Sequence, residues 1–253
     1  MHKVIAPAFV DKATEITAII ENFNSRGTVF VKGRRNVIKT FDLGGITLNI
    51  KSFKVPGFIN KPVYRFLRKS KAMRSYEYAL KLLQNGIGTP QPVAFFENQG
   101  LFGLKESYYV SEHLMANLTF RELVEIPDYP EHDTILRQFT RFCFLLHEKG
   151  VEFTDHSPGN TLIKKQANGN YAFYLVDLNR MNFHEHMDFN LRMENLKKLT
   201  PKKEMVAVMS NEYAKLYDKP EAEIFATLWQ KTVTFQEKFF RKKRIKKYIK
   251  FWK

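Results

Sequence analysis

Three side chains in the middle of the chain have the types and spacing that phosphoryl transfer requires. Asp155 and Asn160 lie five residues apart in one polar loop, and Asp177 directly follows the apolar run 173–176. Carboxylate and amide oxygens are the hard ligands that Mg²⁺ prefers, and a metal ion neutralises the charge that develops in this reaction. Asn160 and Asp177 are therefore predicted metal ligands. Asp155 is predicted to orient an acceptor hydroxyl and receive its proton.

The first part of the chain has the composition of an antiparallel sheet. Short β-branched and aromatic runs alternate with glycine and asparagine, which is the pattern of strands joined by turns. This pattern predicts five strands, at residues 28–32, 37–41, 46–53, 93–96 and 107–114. One helix is predicted among them, because apolar residues recur at helical spacing over 70–84 and stop at Asn85 and Gly86.

The second part of the chain is predicted to be mainly helical. Apolar residues follow a helical period over 135–149, and the residues from 185 onward also read as helices. A hairpin is predicted between them, from strands at 161–164 and 171–176. A strand-rich part followed by a helix-rich part predicts an α+β fold with two lobes. We place the N-lobe at 1–113 and the C-lobe at 114–253.

The candidate residues resemble the catalytic elements of protein kinases. Asp155 and Asn160 have the spacing of H-R-D-x-x-x-x-N, and Asp177 resembles the metal-binding aspartate of D-F-G. Lys51 resembles the lysine of V-A-I-K, and Glu77 resembles the helix glutamate that pairs with that lysine. The resemblance implies a bilobed protein-kinase-like fold that uses ATP and Mg²⁺, with Lys51 on the α- and β-phosphates.

Departures from the protein-kinase pattern narrow this resemblance. Phe153 and Thr154 replace the His and Arg of H-R-D, and no A-P-E sequence follows Asp177. Without a long activation segment, a platform for peptide substrates is hard to build. In place of a glycine-rich phosphate loop, Gly33 is followed by two arginines at 34 and 35, which are predicted to take over some of the phosphate contacts.

Over roughly residues 28–183 the chain is similar to the lipopolysaccharide core kinases, the Kdo and heptose kinases. The likeness is carried by residues 85–90, 108–112 and 176–180. It places Glu112 and Leu114 at the hinge, among the ATP-binding residues. It also implies phosphorylation of a Kdo or heptose hydroxyl on the inner core, or on its lipid A-linked precursor, at the cytoplasmic face of the inner membrane.

Charge and hydropathy agree with that implication. The formal net charge of +15 predicts acidic partners. Residues 235–253 interleave aromatic and basic side chains, which predicts a basic amphipathic helix on an anionic membrane surface. A nucleic-acid patch and a solvated helix face are the rival interpretations. No run approaches the roughly 18–20 apolar residues of a membrane span, so we expect a cytoplasmic protein held peripherally at that membrane.

Two other classes of function remain open from the sequence. One is a different small-molecule or protein kinase of the same superfamily, such as an antibiotic phosphotransferase. The other is a pseudokinase that acts as a membrane or nucleic-acid binding module, for which the missing His and Arg before Asp155 are the argument.

Overall fold

The computed structural model describes residues 1–33, 36–53, 69–100 and 103–251, with the backbone alone for Gly103 and for 246–251. Two compact units form within it. The first comprises Met1–Met115 with Leu175–Asn179, and the second comprises Ala116–Tyr174 with Arg180–Lys253. The predicted arginine contacts at 34 and 35 lie outside the described residues. The predicted division into an N-lobe at 1–113 and a C-lobe at 114–253 stays a prediction.

The first unit is built on one six-stranded antiparallel sheet. Its strand order is β1-β5-β6-β4-β3-β2. The strands are β1 (His2–Ile5), β2 (Thr28–Lys32), β3 (Asn36–Leu43), β4 (Ile46–Phe53), β5 (Pro92–Gly100) and β6 (Gly103–Glu112). Among the residues of this unit that the structure describes, the α-helices are α1 (Ala13–Glu21) and α2 (Lys71–Gln84). All five strands predicted from the sequence are present, whereas β1 and α1 were not predicted.

Local sequence signals explain the limits of α2. The Ser70 side chain accepts a hydrogen bond from the Met73 backbone at 3.0 Å, which satisfies one of the free N–H groups of the first turn. At the other end Gly86 has a φ of 72°, which glycine adopts without the Cβ penalty. The Ile87 N–H then bonds back to the Leu82 carbonyl at 2.9 Å and ends the helix.

The segment after α1 is fixed to the sheet by a buried lysine. The Lys39 ammonium donates to the backbone carbonyls of Phe23, Asn24 and Arg26 at 2.6, 3.2 and 2.9 Å. A buried ammonium is tolerated only when its donors are paired, and here three carbonyls satisfy it. This buried position could not be predicted from the sequence, because backbone carbonyl partners leave no residue-type signal.

The second unit contains five helices and two small sheets within the described residues. The helices are α3 (Phe120–Glu125), α4 (His132–Glu148), α5 (Phe189–Leu196), α6 (Lys203–Ala214) and α7 (Glu221–Phe251). One sheet has the order β10-β9-β7, from Tyr171–Leu175, Thr161–Lys165 and Leu118–Thr119. The other pairs β8 (Val151–Phe153) with β11 (Met181–Phe183). The predicted α+β fold is confirmed.

The last part of α7 departs from the predicted pattern. Every residue from 237 to 245 is exposed. Phe239 and Phe240 are neighbours, so they point about 100° apart around the helix, and Ile245 points in a third direction. The apolar side chains therefore do not share one face, and the prediction of a one-sided amphipathic helix is wrong. Within the described residues no helix combines the length and apolarity needed to cross a bilayer.

A buried carboxylate ties α4 to α6. The Glu212 side chain is 2% exposed and accepts hydrogen bonds from Arg141 at 2.6 Å, Lys215 at 2.8 Å and Arg137 at 3.3 Å. Burial alone raises the pKa of Glu212, but hydrogen bonds from Lys215, Arg141 and Arg137 outweigh it and lower the pKa to about 2. The ionised form is therefore the one that the fold stabilises.

We expect Glu212→Gln to lower the free energy of unfolding by about 2 kcal/mol at pH 7, because it removes the charge that three cations share. The pKa is depressed on folding, so this stabilisation is complete above the usual value of 4.5 and is lost as pH falls from there through about 2. Urea unfolding across this pH range, with exposed Glu185→Gln as control, measures it. An equal difference at pH 7 and pH 2 would contradict the assignment.

Candidate active site

The loop that carries Asp155 follows β8 and is held in place by the pairing of β8 with β11. Phe153 is opposite Met181 in this ladder, and one more bond extends it, from the Thr154 N–H to the Arg180 carbonyl at 3.2 Å. At the other end the strands approach so closely that a Cβ on Gly150 would lie 1.9 Å from a backbone oxygen. The position of Asp155 is therefore set by backbone hydrogen bonds.

Hydrogen bonds within the loop close it around Asp155. The Asn160 side chain donates through Nδ2 to the Asp155 carbonyl at 2.8 Å, and the Ser157 N–H donates to the same oxygen at 2.8 Å. Asn160 Oδ1 is then the atom with which this side chain could coordinate a metal. The Asp155 side chain is 36% exposed, so its carboxylate is accessible from solvent.

His156, which directly follows Asp155, is a packing residue. Its ring is fully buried, 5.8 Å from the Phe139 ring and 5.4 Å from the Phe153 ring, between centroids. Neither ring nitrogen has a hydrogen-bond partner among the described residues. Burial lowers the pKa of His156 to about 4, so the imidazole is neutral at physiological pH.

A buried chain of polar side chains holds the backbone just before Asp155. Asn195 Nδ2 donates to the Phe153 carbonyl at 2.9 Å, and Asn195 Oδ1 lies 3.3 Å from His147 Nε2. Burial lowers the pKa of His147 to about 3, so one ring nitrogen donates and the other accepts. Because Oδ1 can only accept, Nε2 carries the proton and Nδ1 accepts from the Tyr213 hydroxyl at 2.8 Å.

In the first unit, Asp177 and Lys51 form an ion pair. The Lys51 ammonium, 12% exposed, lies 2.6 Å from Asp177 Oδ1, and Asn179 Nδ2 donates to the same oxygen at 2.6 Å. Asp177 has a φ of 60°, a left-handed conformation that costs a non-glycine residue of order 1 kcal/mol. Both donors converge on Oδ1, which leaves Oδ2 as a possible metal ligand.

Neighbouring contacts fix the segment that carries Asp177. The Leu175 N–H donates to the Gly88 carbonyl at 2.9 Å, and the Thr89 hydroxyl donates to the Leu175 carbonyl at 2.8 Å. Within the described residues no group of three or more histidine, cysteine or acidic side chains could hold a metal alone. Mg²⁺ needs only one or two protein oxygens beside water and phosphate, so Asp177 and Asn160 fit it by type.

The predicted pair between Lys51 and Glu77 is not present. The Glu77 carboxylate instead lies 2.6 Å from the ammonium of Lys69, a residue that precedes α2. Lys51 forms its ion pair with Asp177. This pairing was therefore predicted wrongly for the present conformation, and the role of Glu77 in ATP binding stays a prediction.

The residues predicted at the hinge, Glu112 and Leu114, lie at and just beyond the end of β6. Glu112 is opposite Leu48 on β4, and its N–H donates to the Gln91 carbonyl at 2.9 Å. The His113 N–H donates to the Thr47 carbonyl at 2.8 Å. Leu114, the next residue, is half-buried. Contacts of Glu112 and Leu114 with ATP stay predictions.

Sequence reasoning missed several residues at these positions. Arg180 Nη1 lies 3.3 Å from Asp155 Oδ2, and Lys198 Nζ donates to the Thr154 carbonyl at 2.6 Å. Arg180 could have been found, because it ends the run 176–180 that carries the family resemblance. Lys198 and Asn195 could not, since nothing in their spacing connects them to a loop some 40 residues earlier in the chain.

These two units have the protein-kinase-like fold. The structure is similar to a solved structure described as WaaP in complex with acyl carrier protein, with a TM-score of 0.65 over 94% of this chain and 98% of that chain. The sequence identity is 14%, so this likeness supports the fold alone. No curated protein sequence is significantly similar to the chain.

The family follows from the sequence. The model of the lipopolysaccharide kinase (Kdo/WaaP) family matches residues 18–219, and the chain therefore belongs to this family. The predicted relationship to the lipopolysaccharide core kinases is confirmed, and family membership makes the protein a phosphotransferase.

We expect Asn195→Ala to lower kcat about tenfold or more with little change in the KM for ATP, because it leaves the Phe153 carbonyl and His147 Nε2–H unpaired. Steady-state kinetics on protein that is folded by circular dichroism measures this. Exposed Asn190→Ala in the same helix is the matched control. A folded Asn195→Ala protein with unchanged kcat would show that the bond does not position the loop.

Proposed function

We propose that this protein transfers the γ-phosphoryl group of ATP to a Kdo or heptose hydroxyl of the lipopolysaccharide inner core, or of its lipid A-linked precursor. The observation that carries the proposal is the solvent-accessible, half-buried Asp155 side chain on a loop closed by Asn160 and held by β8 and β11. Family membership supports the lipopolysaccharide acceptor.

Lys51 is the residue that we assign to the donor phosphates. Its ammonium is paired with Asp177 in this structure. The phosphates of ATP carry more negative charge than one carboxylate and would attract the ammonium more strongly. To support Lys51 as in other kinases, Glu77 of α2 would exchange its present pair with Lys69 for one with Lys51. Glu112 and Leu114 complete the proposed nucleotide-binding residues.

Asp155 is assigned to the acceptor hydroxyl. A carboxylate within hydrogen-bond reach orients the hydroxyl toward the γ-phosphorus. It receives the hydroxyl proton as the new P–O bond forms and the bond from the γ-phosphorus to the bridging oxygen of the leaving ADP breaks. Asn160 and Asp177 each offer one oxygen to Mg²⁺. When bound, Mg²⁺ neutralises charge on the β- and γ-phosphates.

We expect Asp155→Asn to lower kcat by a factor of about 10²–10⁴, because the amide orients the hydroxyl but accepts no proton. The ATP affinity should stay near that of the wild type. Transfer of radiolabel from ATP to a Kdo-lipid acceptor measures the rate, and exposed Asp218→Asn removes the same charge as a control. Wild-type activity of Asp155→Asn would refute the assigned role.

The acceptor class needs a separate comparison. Wild-type protein is given radiolabelled ATP with a Kdo-lipid, an aminoglycoside or casein, and label is expected in the Kdo-lipid alone. Label in the aminoglycoside or casein would make the protein another kinase of the superfamily. Label in none of them, together with no rise in melting temperature at millimolar ATP and Mg²⁺, would indicate a pseudokinase, since a ligand of the folded state stabilises it.

The C-terminal part of α7 is proposed to bring the enzyme to its lipid-linked substrate. Residues 235–253 contain nine lysines and arginines and one glutamate. An anionic lipid surface attracts each such charge by about 1 kcal/mol, and exposed Phe239, Phe240 and Ile245 add apolar contact in several directions. Location at the inner face of the inner membrane is part of this proposal.

We expect the double variant Lys242→Gln, Lys243→Gln to bind anionic vesicles about 30-fold more weakly, because two charges contribute about 2 kcal/mol at such a surface. Co-sedimentation with phosphatidylglycerol-containing vesicles measures this, and pure phosphatidylcholine vesicles give the uncharged reference. Lys149→Gln with Lys164→Gln removes two exposed charges elsewhere on the same unit. Equal loss in both double variants would exclude a specific role for α7, and tight binding to single-stranded DNA instead of vesicles would favour the nucleic-acid interpretation.

A further inference from the structure

The catalytic loop is bordered by positive side chains that come from other elements. Residues 155–160 contain no lysine or arginine. Three basic side chains reach this loop or the residue before it, from three separate places in the second unit. They are Arg121 of α3, Arg180 before β11, and Lys198 after α5.

Arg180 is the basic residue in contact with the reacting group. Its guanidinium lies 3.3 Å from Asp155 Oδ2, and its side chain is 55% exposed. A guanidinium carries five N–H donors in a planar fork, and the bond to Asp155 uses one of them. The remaining donors can take a second anion beside Asp155 without breaking the first contact.

Lys198 is held at the loop by a neutral group. Its ammonium donates to the Thr154 carbonyl at 2.6 Å, and it lies 5.9 Å from the Phe235 ring. Among the described residues no carboxylate is within ion-pair distance of Lys198, whereas the adjacent Lys197 is paired with Glu194. The charge of Lys198 is therefore not neutralised locally.

Arg121 borders the opposite end of the loop. A Cβ on Gly159 would lie 2.8 Å from Arg121 Nη2, so the guanidinium rests against the loop backbone. Its ion pair with Glu125 is long, at 3.6 Å, and both side chains are more than half exposed. Exposed pairs of this kind are weak, so Arg121 can leave Glu125 for a stronger anion.

We propose that Arg180, with Lys198 and Arg121 beside it, forms a subsite for an anionic group of the acceptor. The proposal rests on the function proposed above, because it is Asp155 that receives the acceptor hydroxyl. An anion that contacts Arg180 would lie on the same sugar residue as that hydroxyl, or on its neighbour. The ligand class is a sugar acid carboxylate or a sugar phosphate, which a guanidinium binds alike.

The test combines a change in the protein with a change in the acceptor. For the wild type, the KM of a Kdo-lipid acceptor is compared with that of its carboxylate methyl ester and that of its dephosphorylated form. Neutralising the anion that Arg180 binds should raise the acceptor KM about tenfold, as expected for loss of a charge-assisted bond. Whichever form shows this rise identifies carboxylate or phosphate as the ligand.

Arg180→Ala should raise the acceptor KM by a similar factor, leave the KM for ATP unchanged, and abolish the difference between charged and neutral acceptor. When two groups interact directly, the effects of changing each of them do not add. Arg180→Lys should recover part of the affinity, and exposed Lys149→Ala, which precedes β8 at the end of that strand remote from Asp155, should behave as wild type. Additive effects of variant and esterification, or a shift in the KM for ATP alone, would overturn the proposal.

Calorimetry without ATP separates this subsite from the proposed activity. Wild-type protein should bind the charged acceptor more tightly than the neutral one, and Arg180→Ala should bind both equally. If the wild type transfers phosphoryl groups to no Kdo-lipid, the proposed function fails while this binding difference still supports the subsite. If the wild type binds charged and neutral acceptors alike, the subsite is refuted whatever the activity.

Discussion

The placement of Asp155 depends on the short antiparallel ladder between β8 and β11. This ladder joins two stretches of chain that are 30 residues apart in sequence, and its last bond lies between Thr154 and Arg180. Because that bond ends the ladder, Asp155 and Arg180 leave it side by side. The strand register therefore brings the Asp155 carboxylate and the Arg180 guanidinium together. The buried hydrogen bond from Asn195 to the Phe153 carbonyl stabilises this end of the ladder.

Local features of the site could be predicted from the sequence. Asp155 and Asn160 belong to one loop that closes on itself, so their spacing carries the information that places them together. Lys51 lies on β4 beyond Leu48 and Ile50, which are fully buried, so alternation along a strand was enough to place the lysine on the other face. In each case the determining interactions lie within a few residues.

Partner choice could not be predicted, because it depends on distances between remote elements. Glu77 is paired with Lys69 rather than Lys51, and Lys39 binds carbonyls that any residue type could supply. The exposed end of α7 shows a further limit. Aromatic and basic residues interleave there, but a helix turns by 100° per residue, and the interleaving does not resolve into two faces. Composition alone misled the prediction.

The length of α7 separates the basic residues at its exposed end from the basic residues around Asp155, so that the two groups interact little. Beyond Phe235, which lies near Lys198, the helix continues for about 24 Å at 1.5 Å per residue. The Debye length at physiological ionic strength is about 8 Å. Most of the charge at the far end of the helix is therefore screened from the loop that carries Asp155. Salt can therefore change the potential at the far end of the helix with little effect on the potential at Asp155, so the proposed membrane contact and the proposed chemistry depend on separate sets of charges.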